Sequence, residues 1–221
     1  MSLKICILCS DRRHPINPWL DRFQTELRDW HDVRIVSGAS EVGDGDFLFL
    51  ISCHEIIRTQ IRRRFRHTLV IHASALPAGR GMSPHVWQVL EGKNFFAVSL
   101  LNAEDLVDSG DIWKQIEVQF GDDELFDEIN GRLFDAETEL MRWAIENCDR
   151  CTPRPQVGTP SYYRRREPAD SQIDPRQSIA EQFNLLRIAD PERYPAFFEL
   201  HDQRYMITIK KLSSRETNET D

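Results

Sequence analysis

The sequence predicts an α/β fold, an open and doubly wound sheet of mostly parallel strands with a small C-terminal α+β appendage. Short apolar runs alternate with stretches of helical periodicity in the first half of the chain, which is the rhythm of βαβ units. These runs are almost continuously apolar, as expected of strands that helices cover on both faces. Such a Rossmann-like sheet binds ligands beyond the carboxyl ends of its strands.

The predicted elements follow in chain order. Strands are expected at residues 4–9, 33–36, 47–52, 68–71 and 96–101, and helices at 18–28, 56–65 and 84–90. Polar loops are expected at 72–81 and 105–111 because glycine, proline and charged residues dominate there. Apolar residues then recur at helical spacing between residues 122 and 147, which predicts one long amphipathic helix.

A change in composition divides the chain. Proline, glycine and charged residues without any period fill residues 151–177, which predicts a connecting segment on the surface. The main domain is therefore expected at 1–150, and a small helix-hairpin unit at 178–212. That unit should hold a helix at 178–186 and strands at 197–200 and 205–210. The polar residues 213–221 are expected to form a disordered tail.

Composition excludes several classes of protein. The net charge of −8, from 36 acidic and 28 basic residues, disfavours a nucleic-acid partner, because neutralised phosphates supply most of such affinity. Apolar runs are too short to span a membrane, and no secretory signal is recognisable, so we expect a cytoplasmic protein. Five cysteines form no disulfide framework. Cys148 and Cys151 lack a second ligand pair, so no metal site is expected.

Two short motifs carry the chemistry. Residues 71–81 read IHASALPAGRG, and residues 107–112 read VDSGDI. Together they resemble the folate-dependent formyltransferases, whose first motif is His-x-Ser-x-Leu-Pro-x-x-Arg-Gly and whose second is Leu/Val-Asp-Ser/Thr-Gly-Asp-Ile. Residues 161–174 and 185–198 look like the stretch that follows the catalytic domain in sugar N-formyltransferases and methionyl-tRNA formyltransferase. The resemblance implies the formyltransferase fold, with the catalytic domain at 1–150, and formyl transfer from 10-formyltetrahydrofolate to an amine.

The resemblance assigns the catalytic roles to His72 and Asp108. His72 would donate a hydrogen bond to the oxyanion that develops on the formyl group, and Asp108 would orient the ring and accept the amine proton. The family usually carries asparagine two residues before the histidine, whereas this chain has Val70. Valine cannot donate, so Ser74, Ser99 or a backbone N–H is expected to take its place.

Binding residues follow from the same resemblance. We expect the pterin ring of the folate between two loops, which contribute Ser52, Cys53 and His54 on one side and Leu101, Asn102, Ala103 and Asp105 on the other. Arg12 and Arg13 follow the first predicted strand and could bind the phosphates of a sugar nucleotide. Arg80 and Tyr163 are the other candidates for contact with the acceptor.

The acceptor amine remains open among several classes. A small-molecule amine on a nucleotide-activated amino sugar is favoured, because the Tyr-Tyr-Arg and Tyr-Pro-Ala-Phe-Phe stretches look like the sugar enzymes. Methionyl-tRNA is less favoured, because its enzyme normally carries a larger basic C-terminal barrel. Glycinamide ribonucleotide is the third acceptor class. The alternative to an enzyme is a non-catalytic protein that senses folate or a nucleotide sugar, and Val70 is the evidence for it. The sequence is also compatible with a homodimer.

Overall fold

The computed structural model describes residues 2–212. Its strands are β1 (Lys4–Leu8), β2 (Asp32–Val36), β3 (Gly45–Leu50), β4 (Phe65–His72), β5 (Arg80–Gly81), β6 (Phe95–Asn102), β7 (Ile112–Gln119), β8 (Tyr162–Tyr163), β9 (Ala196–Leu200) and β10 (Gln203–Ile207). Its helices are α1 (Asn17–Leu27), α2 (Thr59–Arg62), α3 (Pro84–Leu90), α4 (Phe126–Asn147) and α5 (Phe183–Ile188). Two 3₁₀ turns lie at Ala39–Glu41 and Pro168–Ser171.

The central sheet has the strand order β2-β1-β3-β4-β6-β7. The first four of these strands run parallel, whereas β6 is antiparallel to β4 and β7 is antiparallel to β6. Carboxyl ends of β1, β3 and β4 therefore meet at one edge, where the ligand site was expected. The predicted α/β class with a mostly parallel sheet is confirmed.

Both faces of the sheet are buried. Ile5, Ile7 and Cys9 belong to the larger apolar cluster, on the face that α1, α3 and α4 cover. The alternate residues Cys6 and Leu8 belong to a smaller cluster on the opposite face. Successive side chains of a strand point to opposite faces, so burial on both sides explains why β1 is apolar from Ile5 to Leu8.

Helix α4 confirms the long amphipathic helix and begins four residues later than predicted, at Phe126. Its start is set by Glu128, whose Oε2 accepts a hydrogen bond from the Leu125 N–H at 2.8 Å. A carboxylate in the first turn also favours the positive end of the helix dipole. Ile129, Leu133 and Leu140 lie on its buried face, so the spacing of apolar residues located the helix correctly.

Two parts of the prediction for the main domain were wrong. Strand β7 was missed, although Ile116 and Val118 alternate there with polar residues. It is an edge strand, and edge strands carry charged residues that weaken their apolar signal. The helix predicted at 56–65 is reduced to Thr59–Arg62, because Phe65 already pairs with Gly45 as the first residue of β4.

The C-terminal part also differs in detail from the prediction. The predicted connecting segment contains β8, which pairs with β5, and buries Ser171 and Ile173. Helix α5 ends two residues after its predicted end and starts at Phe183, because Ser178 and Glu181 bond to each other in a preceding turn. The hairpin β9–β10 is present. The domain boundaries remain predictions, and the predicted tail lies outside the described residues.

Within residues 2–212, no helix combines the length and the apolar character needed to cross a membrane.

Candidate active site

A cavity of about 560 Å³ lies at the carboxyl ends of β1, β3 and β4. The loop after β3, the end of β4 and residues 102–108 line one half of it. One face of α4, the loop after β1 and residues 165–166 and 188–194 line the other half. The segment that was predicted to be a mere connector therefore contributes to the cavity wall.

His72 and Asp108 meet in this cavity, and both are buried. His72 Nδ1 lies 3.4 Å from Asp108 Oδ1, and His72 Nε2 lies 2.9 Å from the carbonyl oxygen of Gly79. A carbonyl can only accept, so Nε2 carries the proton of that bond. Nδ1 then faces the carboxylate oxygen of Asp108. Because both ring nitrogens already face an oxygen, His72 has no free N–H for a second acceptor.

Asp108 is held by backbone contacts on both sides. Its φ of +56° lies in the left-handed region, which aspartate tolerates better than most residues. Asp108 Oδ2 accepts a hydrogen bond from the Gly81 N–H at 3.0 Å. The Gln156 amide donates to the carbonyls of Asp108 and Gly110, each at 2.9 Å. The carboxylate is therefore fixed towards His72 before any ligand binds.

Glycines make this arrangement possible. Gly81 has a φ of +102°, and a Cβ there would lie 2.2 Å from the carbonyl oxygen of Tyr163. A Cβ on Gly110 would lie 2.0 Å from the carbonyl oxygen of Asn102. Real Cβ atoms do not approach an oxygen so closely, so only glycine allows these two segments to pack together.

Backbone strain concentrates at the cavity. Five residues other than glycine have positive φ in the described part of the chain. Three of them, Ser52, Ser83 and Asp108, line the cavity. Strained residues of this kind cluster at ligand sites, where the surrounding structure holds them in place.

Most of the predicted folate-binding residues lie together. Ser52, Cys53 and His54 face Asn102 and Ala103 across one half of the cavity. Two others do not line it. Leu101 is fully buried in the sheet, and the Asp105 carboxylate pairs with Arg62 at 2.8 Å on the surface.

Neither serine proposed to replace the missing asparagine lines the cavity. Ser99 Oγ donates to the Ser74 carbonyl at 2.6 Å and accepts from the Gln115 amide at 2.7 Å, so its hydroxyl is already used. Ser74 Oγ is buried without a partner beside Gly79. Asn102, which was predicted only as a folate ligand, does line the cavity and carries an amide. The Trp113 indole N–H donates to Asn102 Oδ1 at 2.7 Å, which orients the amide.

The four predicted acceptor ligands also lie outside the cavity lining. Arg12 is exposed and bonds to Ser37 at 2.9 Å, and Arg13 is exposed as well. Arg80 is buried against Gln156, with 2.6 Å between Nη2 and Oε1. The Tyr163 hydroxyl bonds to Glu91 at 2.8 Å. Arg80 and Tyr163 therefore hold the loops around the site together.

Other basic residues line the cavity instead, namely Arg165, Arg166 and Arg193. The Arg164–Arg166 run was visible in the sequence, but only the pairing of β8 with β5 determines which of its members face inward. Titratable groups also line the cavity, namely the buried Glu137 and the half-buried His14 and His85. Burial lowers the pKa of His14 and of His85 to about 4 and raises the pKa of Glu137 to about 8. At neutral pH these three side chains are therefore mostly uncharged.

Within residues 2–212, no group of three or more His, Cys, Asp or Glu side chains is arranged to hold a metal ion.

Comparisons with known proteins agree with this geometry. Residues 14–145 match the family model described as "Formyl transferase". Methionyl-tRNA formyltransferase of Thermodesulfovibrio yellowstonii is 28% identical over 169 residues, which cover 73% of this chain and 53% of that protein. The chain thus spans about half the length of the curated relatives it matches.

Solved structures share the fold. Methionyl-tRNA formyltransferase from Clostridium thermocellum superposes with a TM-score of 0.81 at 21% identity, covering 96% of this chain and 94% of that one. HypX from Aquifex aeolicus, solved in complex with tetrahydrofolic acid, has a TM-score of 0.79 at 18% identity, and the match covers 95% of this chain and 38% of that one. A 4-N formyltransferase from Francisella tularensis has a TM-score of 0.70 at 16% identity and covers 96% and 98%.

The family model covers more than half of the 221-residue chain. It includes strands β2 to β7, most of helix α4 and both residues of the His72–Asp108 pair. The predicted co-substrate, 10-formyltetrahydrofolate, is the one that this family uses. The chain belongs to the folate-dependent formyl transferase family.

Proposed function

We propose that this protein is an enzyme that transfers the formyl group of 10-formyltetrahydrofolate to the primary amine of a nucleotide-linked amino sugar. The observation that carries the proposal is the buried His72–Asp108 pair, which lies in the wall of one large cavity. An active site for group transfer needs room for a donor and an acceptor on either side of a proton-accepting group.

The reaction requires a place for one proton. The amine nitrogen bonds to the formyl carbon, the bond from that carbon to the folate nitrogen breaks, the amine loses a proton, and the leaving folate nitrogen gains one. His72 Nδ1 and Asp108 Oδ1 lie 3.4 Å apart and can hold that proton between them. Long contacts of this kind are common before substrates bind. The carboxylate stabilises the positive charge that the ring then gains.

Charge that develops on the formyl oxygen requires a separate donor, because both nitrogens of His72 are engaged. We assign this role to Asn102. The bond from Trp113 occupies its Oδ1, and its Nδ2 makes no side-chain bond in the described part of the chain. An amide donor aimed at such an oxygen contributes about 10²-fold to 10³-fold in rate. Asn102 would thus replace the asparagine that is missing at Val70.

The half of the cavity between residues 52–57 and 102–108 fits a folate. Its walls combine backbone groups with the exposed apolar side chains of Ile56 and Val107. A pterin ring presents adjacent donors and acceptors that backbone N–H and C=O groups match, and apolar side chains cover its faces. The folate supplies the formyl carbon.

A small acceptor is favoured by charge. The net charge of −8 opposes wrapping of a long polyanion, and the arginines that line the cavity are confined to one end of it. The fold is also shared with the 4-N formyltransferase from Francisella tularensis. Methionyl-tRNA is the second candidate acceptor, because the curated relatives in the comparison bear that name.

A panel of amines tests the proposal. The protein is mixed with 10-formyltetrahydrofolate, and release of tetrahydrofolate is followed by absorbance with nucleotide-linked amino sugars, methionyl-tRNA or glycinamide ribonucleotide. We expect turnover with an amino sugar only. Turnover with methionyl-tRNA alone would replace the sugar by the tRNA. Folate binding without turnover on any amine would make the protein a sensor and overturn the proposed reaction.

A further inference from the structure

The half of the cavity lined by α4, the loop after β1 and residues 165–166 and 188–194 is the acceptor half. It contains a buried cation without a counter-ion. Arg166 is only 7% exposed and lines the cavity. Its Nη2 donates to Ser171 Oγ at 3.0 Å, and its guanidinium lies 5.4 Å from the centre of the Tyr194 ring. Its Nε is buried without a partner. Among the described residues, no carboxylate lies within ion-pairing distance of Arg166. Burying a charge in this way is costly unless a partner compensates it.

Two further arginines line the same end of the cavity. Arg165 is exposed and forms no ion pair within the described part of the chain. Arg193 reaches Asp11 at 3.3 Å across the loop after β1. The three arginines thus line one cavity from two segments of the chain. Guanidinium groups that share one cavity suit the several oxygens of a phosphate.

Negative groups at this end do not cancel the arginines. Asp190 is buried in the cavity wall, but its Oδ1 accepts the backbone N–H groups of Glu192 and Arg193 at 2.9 and 3.0 Å. Asp170 pairs with Arg164. Burial raises the pKa of Glu137 to about 8, so this group is mostly neutral at pH 7. Three arginines against the carboxylates of Asp11 and Asp190 therefore leave one excess positive charge at this end of the cavity.

We propose that Arg165, Arg166 and Arg193 form an anion subsite that binds the phosphate or pyrophosphate group of a small acceptor. The inference rests on the proposed function, because it places the acceptor opposite the folate half, with its amine towards His72. The sequence prediction assigned this role to Arg12 and Arg13, which lie outside the cavity. The subsite therefore limits the acceptor to an amine that also carries an anionic group.

Binding can be tested without any turnover. Inorganic pyrophosphate and uridine diphosphate are titrated into the full chain by calorimetry, for wild type and for Arg166→Gln, Arg165→Gln and Arg166→Lys. Removing a charge-assisted hydrogen bond weakens binding about tenfold to a hundredfold, which we expect for both glutamine variants. Arg166→Lys keeps the charge but loses the planar guanidinium that can donate two parallel hydrogen bonds, so we expect an intermediate affinity. Arg176→Gln, an exposed residue outside the cavity, changes the net charge equally and should bind like wild type.

The controls separate folding from binding. Arg166 is buried, so thermal unfolding of each variant is recorded, and the exposed Arg165 provides a test if Arg166→Gln does not fold. No binding of either probe to wild type, or equal binding by all variants, would overturn the subsite. Tighter binding of a short single-stranded RNA than of uridine diphosphate would overturn the small acceptor. Pyrophosphate binding without formyl transfer would leave the subsite standing and remove the proposed reaction.

Discussion

At the scale of single residues, the site combines one expected pair with an unexpected donor. The spacing of two motifs located His72 and Asp108, and the structure brings Nδ1 and Oδ1 within 3.4 Å. Motif spacing could not show that the Gly79 carbonyl occupies the other ring nitrogen. It also could not show that the Ser99 hydroxyl is already hydrogen-bonded to the Ser74 carbonyl and to the Gln115 amide. Hydrogen-bond partners between distant segments depend on packing, which a local pattern does not encode.

Asn102→Asp tests the proposed donor. The substitution keeps the side-chain shape and an oxygen for the Trp113 indole, but it removes the N–H donor. We expect turnover to fall about 10²-fold, with the affinity for tetrahydrofolate changed much less.

The position of Val70 provides a rescue for that variant. Val70 lies two residues before His72 on β4, so its side chain points to the same face of the strand. Val70→Asn introduced into Asn102→Asp should recover part of the lost rate. Wild-type turnover by Asn102→Asp would contradict the assignment, and failure of the double variant to recover would show that position 70 cannot supply the donor.

At the scale of elements, the sequence predicted the regular strands and the long helix better than the short pieces that complete the site. Strand β1 and helix α4 follow from apolar patterns that burial dictates. The two-residue pairing of β5 with β8 has no such pattern, although it brings Arg165 and Arg166 to the cavity. Edge strand β7 was missed for the same reason, because exposure leaves its pattern weak.

Gly110→Ala tests the contact between the Asp108 loop and strand β6. The added Cβ would meet the Asn102 carbonyl oxygen at 2.0 Å, so the backbone must move, at a cost of about 1–3 kcal/mol in stability. We expect a lower unfolding midpoint in urea and a large loss of turnover. Gly43→Ala is the matched control, because an added Cβ there meets no atom within 4 Å, and it should affect neither. If Gly110→Ala matched wild type in both measurements, the close approach would be unimportant.

Glu137 on α4 gives a pH-dependent prediction. Burial raises its folded-state pKa to about 8 from the ordinary glutamate value of 4.5. Between these values the folded state retains a proton that the unfolded state has lost, so the free energy of unfolding falls as pH rises. Glu137→Gln removes this loss. The free energy of unfolding of the variant should exceed that of wild type by on the order of 2–4 kcal/mol at pH 8, and the two values should converge near pH 5.

Urea unfolding at several pH values measures this difference. Glu139→Gln is the matched control, because Glu139 is an exposed residue of the same helix and should show no such divergence. Parallel curves for wild type and Glu137→Gln would mean that Glu137 is charged in the folded protein.

At the scale of the whole molecule, the cavity unites segments that are far apart in the sequence. Residues from the loop after β1, from both motifs, from α4 and from residues 188–194 all line it. The α/β class and the folate half were predictable, because parallel strands bring their carboxyl ends to one edge. The acceptor half was not, because its walls come from α4 and from the C-terminal segments, whose placement against the sheet requires the folded structure.

The central claim is that the His72–Asp108 pair takes the proton that the acceptor amine loses. The most direct test compares tetrahydrofolate release by wild type, His72→Ala and Asp108→Asn, each with the acceptor that the amine panel identifies. Asparagine also tolerates the left-handed backbone of position 108, so Asp108→Asn isolates the charge. His201→Asn, at an exposed histidine outside the cavity whose positive φ asparagine tolerates, is the control. We predict a fall in turnover of about 10²-fold to 10⁴-fold in both variants, with tetrahydrofolate binding retained and the control unchanged. Wild-type turnover in both would contradict the claim.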